Sequence, residues 1–231
     1  MTEHVLGAPV RRKEDPEMLR GASRFTADMS LPGMLHMAIL RSEHAHAHIR
    51  GIDTEAAARM PGVVRVITGA DLAGKIMPLP CVWIPGGAES HFPSHPMGMP
   101  GAGSVLAIDK VRFAGDPVAA VVAETATQAH DALQAILVDY RPLPAVMDAE
   151  EAIQEGAPQL HDEVPNNLNA YIPYGDRDGT EKAIATAEVT LTRSLHIPRT
   201  INSPIEPRAA LGYYDADADE YTLWSTSQSP H

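Results

Sequence analysis

Cysteine is almost missing from this 231-residue chain: Cys81 stands alone. A single thiol excludes an intramolecular disulfide framework and any cysteine-rich zinc or iron–sulfur site within the chain. Basic residues are scarce as well. Lys and Arg number 18 against 30 Asp and Glu, a formal net charge of -12, which repels phosphate backbones and argues against nucleic acid as a partner. No stretch approaches the ~20 consecutive apolar residues of a membrane-spanning helix. The opening MTEHVLGAPVRRKED lacks the apolar core of a signal peptide. These absences lead to the expectation of a soluble, cytoplasmic protein. Catalytic signatures are missing too: there is no GxSxG nucleophile elbow, no phosphate-binding P-loop and no dinucleotide-binding glycine fingerprint.

What is present is enough for a core, with 44% hydrophobic residues. GMLHMAILRS (33–42) reads as a buried strand running into a turn. Asp53 is placed to cap a short helix over Glu55–Arg59 that Pro61-Gly62 ends. VVRVIT (63–68) is β-branched and strand-like, and GADLAG after it suits a turn of helix. VAAVVA (118–123) is apolar throughout, as a strand covered on both faces should be. Thr125 and Gln128 have capping-box spacing, and apolar residues then recur at helical spacing over 126–136. LVDYRPL returns as a strand, so the first half is β-α-β-like with mixed strands. Farther on, DGTEKAIATAE suits a short helix capped by Asp178 or Thr180. VTLTRSLHI alternates as a strand, and RAALGYYDADADEYTLWSTSQ reads as two strands around an acidic turn. Residues 76–104, with six prolines and five glycines, form a long irregular stretch of the kind that is often functional or interfacial. A second irregular stretch, 141–178, places a domain boundary near 145–165.

Candidate chemistry centres on RSEHAHAHIRGID. On a strand, His44, His46 and His48 would face one side about 7 Å apart, and imidazole is a good zinc ligand. A catalytic zinc site also needs further ligands and groups that orient them. The bland alternative is a histidine-rich structural stretch. HFPSH offers His91 and His95, which equally suit an exposed loop. Cys81 could be a nucleophile or an inert thiol. DADADE lacks the central Gly and terminal Glu of a calcium loop and reads as a solvated turn. Near the end, INSPIEPRAAL presents Glu206 between prolines, and LWSTSQSPH places Gln228 just past a strand. A glutamine amide both donates and accepts hydrogen bonds, which suits an oxo group or a heterocycle edge as well as plain solvent.

Taken in order, these motifs resemble a known family. GAPVRRKEDPEMLRGASRFTADMSLPGMLHMAILRSEHAHAHIRGIDTEAAARMPGVVRVITGADL is similar to the opening of the molybdenum hydroxylase large subunits: xanthine dehydrogenase, aldehyde oxidase and aerobic carbon monoxide dehydrogenase. VRFAGDPVAAVVAETATQAHDALQAILVDYRPLPAVMDAEEA resembles a second family signature centred on Gly-Asp-Pro-Val-Ala. SPIEPRAALGYYD and LWSTSQSPH resemble the start of the molybdopterin-binding region.

The resemblance implies an α+β fold. An α/β hammerhead domain with a mixed sheet would occupy residues 1–150. A linker and the incomplete first part of a molybdopterin-binding domain would occupy 151–231. It implies that His44 and His46 are structural residues that fix a turn, that Glu206 is structural, and that Gln228 approaches the molybdenum oxo group and the pterin. No catalytic and no metal-ligating residue is carried over. The assembled enzyme would be an oxidoreductase acting on an aldehyde, an N-heterocycle or carbon monoxide. It would bind molybdenum-molybdopterin cytosine dinucleotide, with FAD and iron–sulfur clusters on partner chains or domains. A complete large subunit is several times longer, and its glycine-rich loop, remaining pterin loops and catalytic Glu match nothing in this sequence. A fragment, a truncated product or one part of a split subunit is therefore expected, inactive in isolation. Two other readings stand beside it. One is a non-catalytic assembly module holding partner subunits, with 76–104 at an interface. The other is a zinc hydrolase built on His44, His46 and His48.

Overall fold

The computed structural model of the protein describes residues 9, 11–76, 104–162, 164–168, 175–198 and 200–227. Its contacts group into two compact units, Leu35–Leu191 and Met1–Met34 with Thr192–His231. The chain enters through α1 (Asp15–Leu19), whose first turn carries Pro16 where no amide needs a partner.

The larger unit is built from β1 (His36–Arg41), β2 (Ala47–Asp53), α2 (Glu55–Ala58), β3 (Val63–Thr68), α3 (Gly69–Leu72), β4 (Lys110–Val111), β5 (Pro117–Ala123), α4 (Ala126–Leu133), β6 (Leu137–Pro142), α5 (Ala149–Ala152) and α6 (Arg177–Thr186). One sheet has the order β1-β5-β3 and another β4-β2-β6. Every pairing among the described residues is antiparallel, where the sequence had suggested mixed strands. The reason is topological. β5, α4 and β6 follow one another as in a β-α-β unit, but β5 and β6 belong to different sheets, so the parallel pair that such a unit would make never forms.

β5 is the hub. It lies between β1 and β3, and Val118 through Val121 are all buried, as an all-apolar strand requires. Ala119, Val121 and Ala123 pack with Ala129, Ala132 and Leu133 of α4. Val118 turns to the other side, against Ala47, Ala107 and Val111. Ile52 and Val138 touch both clusters and so link the two sheets. The alanines at 129 and 132, fully buried, let α4 lie close to β5.

Local chemistry sets the helix ends. Thr125 Oγ1 accepts the Gln128 amide and donates to Gln128 Oε1, so the expected cap is present. α4 ends at Leu133 because the next three amides reach back only three residues, from Gln134 to Asp131, from Ala135 to Ala132 and from Ile136 to Leu133. Ile136 is buried all the same. Asp53 Oδ1 accepts the Glu55 amide at 2.9 Å, although the residue at the N-cap position of α2 is Thr54 and the helix ends one residue short of Arg59. The cap of α6 is Asp176, whose Oδ1 accepts the Gly179 amide; Asp178 and Thr180 both lie inside the helix. Asp176 is the residue three before an amide left open by the first turn, which is where a capping oxygen must sit.

In the smaller unit, β7 (Ala210–Asp215) and β8 (Glu220–Ser225) form the expected antiparallel hairpin. Asp215 Oδ1 accepts the amides of Asp217 and Ala218, so the acidic run is a turn held by its own first carboxylate. VTLTRSLHI departs from expectation. Residues 189–197 join no ladder among the described residues, and Val189, Leu191, Leu195 and Ile197 face solvent. Alternation supplies a strand's face, but a ladder needs a neighbour to hydrogen-bond. No described helix is long and apolar enough to cross a membrane.

Candidate functional site

The histidine stretch does not form one strand face. β1 stops at Arg41 and β2 starts at Ala47, which leaves His44 and His46 in the turn between them. Ser42 makes that turn: its Oγ accepts the His44 amide and donates to the His44 carbonyl, both at 3.0 Å. A side chain that satisfies backbone locally competes with a ladder, and here it stops the strand. His44 stacks edge-on against Tyr140, with ring centroids 4.8 Å apart. His46 is buried, and its Nδ1 lies 2.7 Å from the Pro144 carbonyl. A hydrogen bond to a carbonyl fixes the Nδ1–H tautomer. His48 is in β2, in register with Lys110 on one side and Arg141 on the other, a poor place for a cation. The first two histidines therefore hold structure. Among the described residues no group of three or more His, Cys, Asp or Glu is placed to hold a metal ion.

The two signatures quoted from the sequence meet in space, which sequence alone did not reveal. Ser42 donates its amide to the Asp116 carbonyl at 2.9 Å and accepts the Gly115 amide at 2.8 Å. Arg41 Nη1 donates to the Gly115 carbonyl at 2.9 Å. Gly115 has φ +94, a conformation side chains avoid. Pro117 begins β5, and its carbonyl accepts the Ala107 amide. Arg41-Ser42 and Gly115-Asp116-Pro117 are thus two sides of one knot. Burial pushes the Asp116 carboxyl above its ordinary value, against the Arg112 amide that it accepts at 3.0 Å. Burial likewise raises the Tyr140 hydroxyl.

A second device escaped the sequence. Lys110 is buried, and its Nζ donates to both Asp162 oxygens, at 2.8 and 2.9 Å. Arg112 Nε reaches the Leu160 carbonyl and Nη1 the Lys110 carbonyl, each at 3.2 Å. Asn167 donates to the carbonyls of Ala152 and Pro158 and accepts the Leu160 amide, all at 2.9 Å. The stretch read as an irregular connection is therefore clasped onto β4. No spacing in the sequence signals contacts this remote.

Gln228, Cys81, His91 and His95 lie outside the described residues. Glu206 Oε1 is 3.4 Å from the Thr26 amide and 3.5 Å from its hydroxyl, long contacts in keeping with a structural role. An open depression of about 400 Å³ is lined by Gly51, Ile52, Asp53, Leu137, Val138 and Asp139. Its charged groups are two carboxylates, which repel a pyrophosphate and offer it no donor. This depression is not a cradle for a dinucleotide cofactor.

Comparison with known proteins decides the family. The family model for the α/β hammerhead domain of aldehyde oxidase and xanthine dehydrogenase matches residues 20–144. The chain belongs to that family. A model for the molybdopterin cofactor-binding domain matches residues 160–231. The nicotine 6-hydroxylase large subunit of Paenarthrobacter nicotinovorans is 35% identical over 100% of this chain and 27% of its own length. The carbon monoxide dehydrogenase large chain of Afipia carboxidovorans is 34% identical over 98% of this chain and 28% of its own. A solved carbon monoxide dehydrogenase from Oligotropha carboxidovorans superposes with a TM-score of 0.77 at 33% identity, covering 97% of this chain and 28% of that one. The chain thus spans about a quarter of the length of the relatives it matches. The α+β hammerhead fold read from the motifs is that of these large subunits.

Proposed function

We propose that the chain is the N-terminal, hammerhead-bearing portion of the molybdopterin-binding subunit of a molybdenum-dependent hydroxylase or dehydrogenase. The observation that carries this reading is the order of the two family matches along one chain. Hammerhead residues 1–150, then a linker and the first part of a molybdopterin-binding domain over 151–231, is the corresponding division. The assembled enzyme would oxidise an aldehyde, an N-heterocycle or carbon monoxide in the cytoplasm. Its cofactor would be the cytosine dinucleotide form of molybdenum-molybdopterin, the group that supplies the redox chemistry. FAD and iron–sulfur clusters would lie on partner chains or domains.

Within this reading the chain contributes scaffold. Its knot at 41–42 and 115–117 and its clasp at 110–112 and 160–167 fix the hammerhead. Gln228 is the one residue assigned to the cofactor, on the strength of its STSQSPH setting. The test is metal analysis with turnover. A full-length subunit carrying this chain, purified with its partners, is expected to contain molybdenum and iron and to reduce an artificial acceptor with one of the three substrate classes. Stoichiometric zinc lost on joint replacement of His44 and His46 by Ala would instead establish the hydrolase. Full assembly without molybdenum would establish the non-catalytic module.

A further inference from the structure

The molybdopterin-domain match starts at residue 160, yet the segment around that start is held by the hammerhead. Lys110 of β4 and Arg112 just after it reach the segment through their side chains, at the Asp162 carboxylate and the Leu160 carbonyl. The seat is cationic, since Asp162 also lies within electrostatic reach of Arg112 and His48. His161 in turn lies within electrostatic reach of Asp116. No ladder joins residues 157–168 to a sheet among the described residues. No described residue of the segment enters either hydrophobic cluster, and Val164 alone of its described side chains is buried. Its backbone amides bond locally: Ala157 to Gln154, Val164 to His161, Asn167 to Val164 and Leu168 to Pro165. The segment also staples itself. Asn167 ties the carbonyls of Ala152 and Pro158 to the Leu160 amide, and Gln159 Nε2 donates to the carbonyls of His161 and Val164. A loop packed by its own side chains keeps its shape when it leaves a surface.

We infer that residues 157–168 form a latch, which closes over β4 through Lys110 and Arg112 and opens as one piece while the hammerhead stays folded. The first residues of the molybdopterin-domain match are thereby fastened to the hammerhead reversibly. Two features make opening separable from unfolding. The first is the kind of contact. The hammerhead core is held by the β1-β5-β3 ladders and by the apolar packing of β5 on α4, none of which the latch shares, so lifting it leaves them intact. The second is the charge pair. The Lys110 side chain is 4% exposed and that of Asp162 is 71% exposed. Burying an ammonium costs free energy that a water-exposed partner offsets only in part, and opening lets water solvate both ions. Closure is therefore favoured by a modest margin, set by Asp162 and by the staples that hold it in place.

The test labels the whole chain with a low dose of acetic anhydride and reads each lysine by mass spectrometry. Lys110 is reached only when the latch is open, while Lys75 and Lys182 are exposed and serve as references. Hydrogen exchange of the β5 amides on the same samples reports global unfolding. Lys110 should label at least about tenfold more slowly than the references. Its rate should stay nearly constant in urea below the unfolding transition, whereas β5 exchange accelerates, because a small opening exposes little surface. Val121→Ala in β5 should speed β5 exchange by roughly tenfold or more and leave Lys110 labelling unchanged. Asp162→Asn, and separately Asn167→Ala, should speed Lys110 labelling at least about tenfold, while Glu155→Ala, an exposed acid just before the latch, should not. Lys110 labelling that rises with urea in step with β5 exchange, or that speeds up in Val121→Ala, would overturn the latch by showing release only on global unfolding. Wild-type Lys110 that labels as fast as Lys75 would overturn it by showing that nothing is closed. So would Asp162→Asn and Asn167→Ala variants in which Lys110 labels as in wild type.

Discussion

At the scale of single residues, Lys110 and Asp162 make an asymmetric pair. The Lys110 side chain is 4% exposed and that of Asp162 is 71% exposed. Removing the lysine leaves a carboxylate in water; removing the carboxylate leaves a buried ammonium with no counter-charge. Asp162→Asn should therefore cost about 2 kcal/mol, less than a fully buried pair because water reaches Asp162, while Lys110→Met should cost under about 1 kcal/mol. The hydrogen bond from Lys110 holds the Asp162 carboxyl below its ordinary value. A lowered carboxylate stabilises the fold above its unfolded value of 3.8, and that stability is lost as pH falls through the folded value. The Asp162→Asn penalty should thus be level from about pH 5 to 8 and shrink below about pH 4. Urea titrations at each pH check both statements. Asp116 carries the opposite sign. Its carboxyl is raised by burial, so its charge opposes folding at neutral pH. Asp116→Asn, which keeps an acceptor for the Arg112 amide, should match or exceed wild-type stability at pH 7, with the difference vanishing below about pH 4. For Gln228, the completed enzyme is the test object. Gln228→Ala should lower molybdenum content or turnover by roughly tenfold or more, the worth of one or two hydrogen bonds at ~1.4 kcal/mol per decade. Gln228→Glu should be worse because it adds negative charge, and Ser229→Ala should be mild. Full molybdenum with wild-type turnover in Gln228→Ala would make it an ordinary surface amide.

At the scale of elements, α3 illustrates close approach. A Cβ at Gly69 would sit 2.5 Å from the Ala107 carbonyl oxygen and 2.8 Å from that of Leu106. Both are backbone atoms and yield little. Gly69→Ala should destabilise by about 2 kcal/mol. Gly51→Ala in β2, where nothing lies within 4 Å, should stay within about 0.5 kcal/mol. A comparable loss in both variants would show that strand and turn propensity, not contact with 106–107, decides. Elements were legible where their partners were local. VVRVIT became β3 with its read limits, and VAAVVA became the core of β5, because β-branched and apolar runs need only a sheet to enter. RAALGYYD and its return strand paired because the turn between them is short. VTLTRSLHI had equal alternation and no local neighbour, so it joins no ladder among the described residues.

At the scale of the whole molecule, the buried hydrophobic core of the described residues belongs to the larger unit alone. The isolated chain is expected to retain no molybdenum and no oxidoreductase activity. One glutamine offers a net ~1 kcal/mol per hydrogen bond, whereas micromolar retention of a cofactor needs about -8 kcal/mol. Molybdenum and pterin fluorescence co-eluting with the monomer on gel filtration would contradict this. What the sequence determined by itself was family, fold class and the run of short elements. Those depend on motif order and hydrophobic period, both of which are written along the chain. It also carried the caution about His44, His46 and His48, since a metal centre needs more ligands than the stretch supplies. Only the tertiary structure decided that Arg41-Ser42 closes on Gly115-Asp116, that Lys110 reaches Asp162, and that β5 and β6 part into separate sheets. The first two join residues dozens of positions apart. Backbone and side-chain hydrogen bonds form between whichever groups packing brings within about 3 Å, and no local period records that.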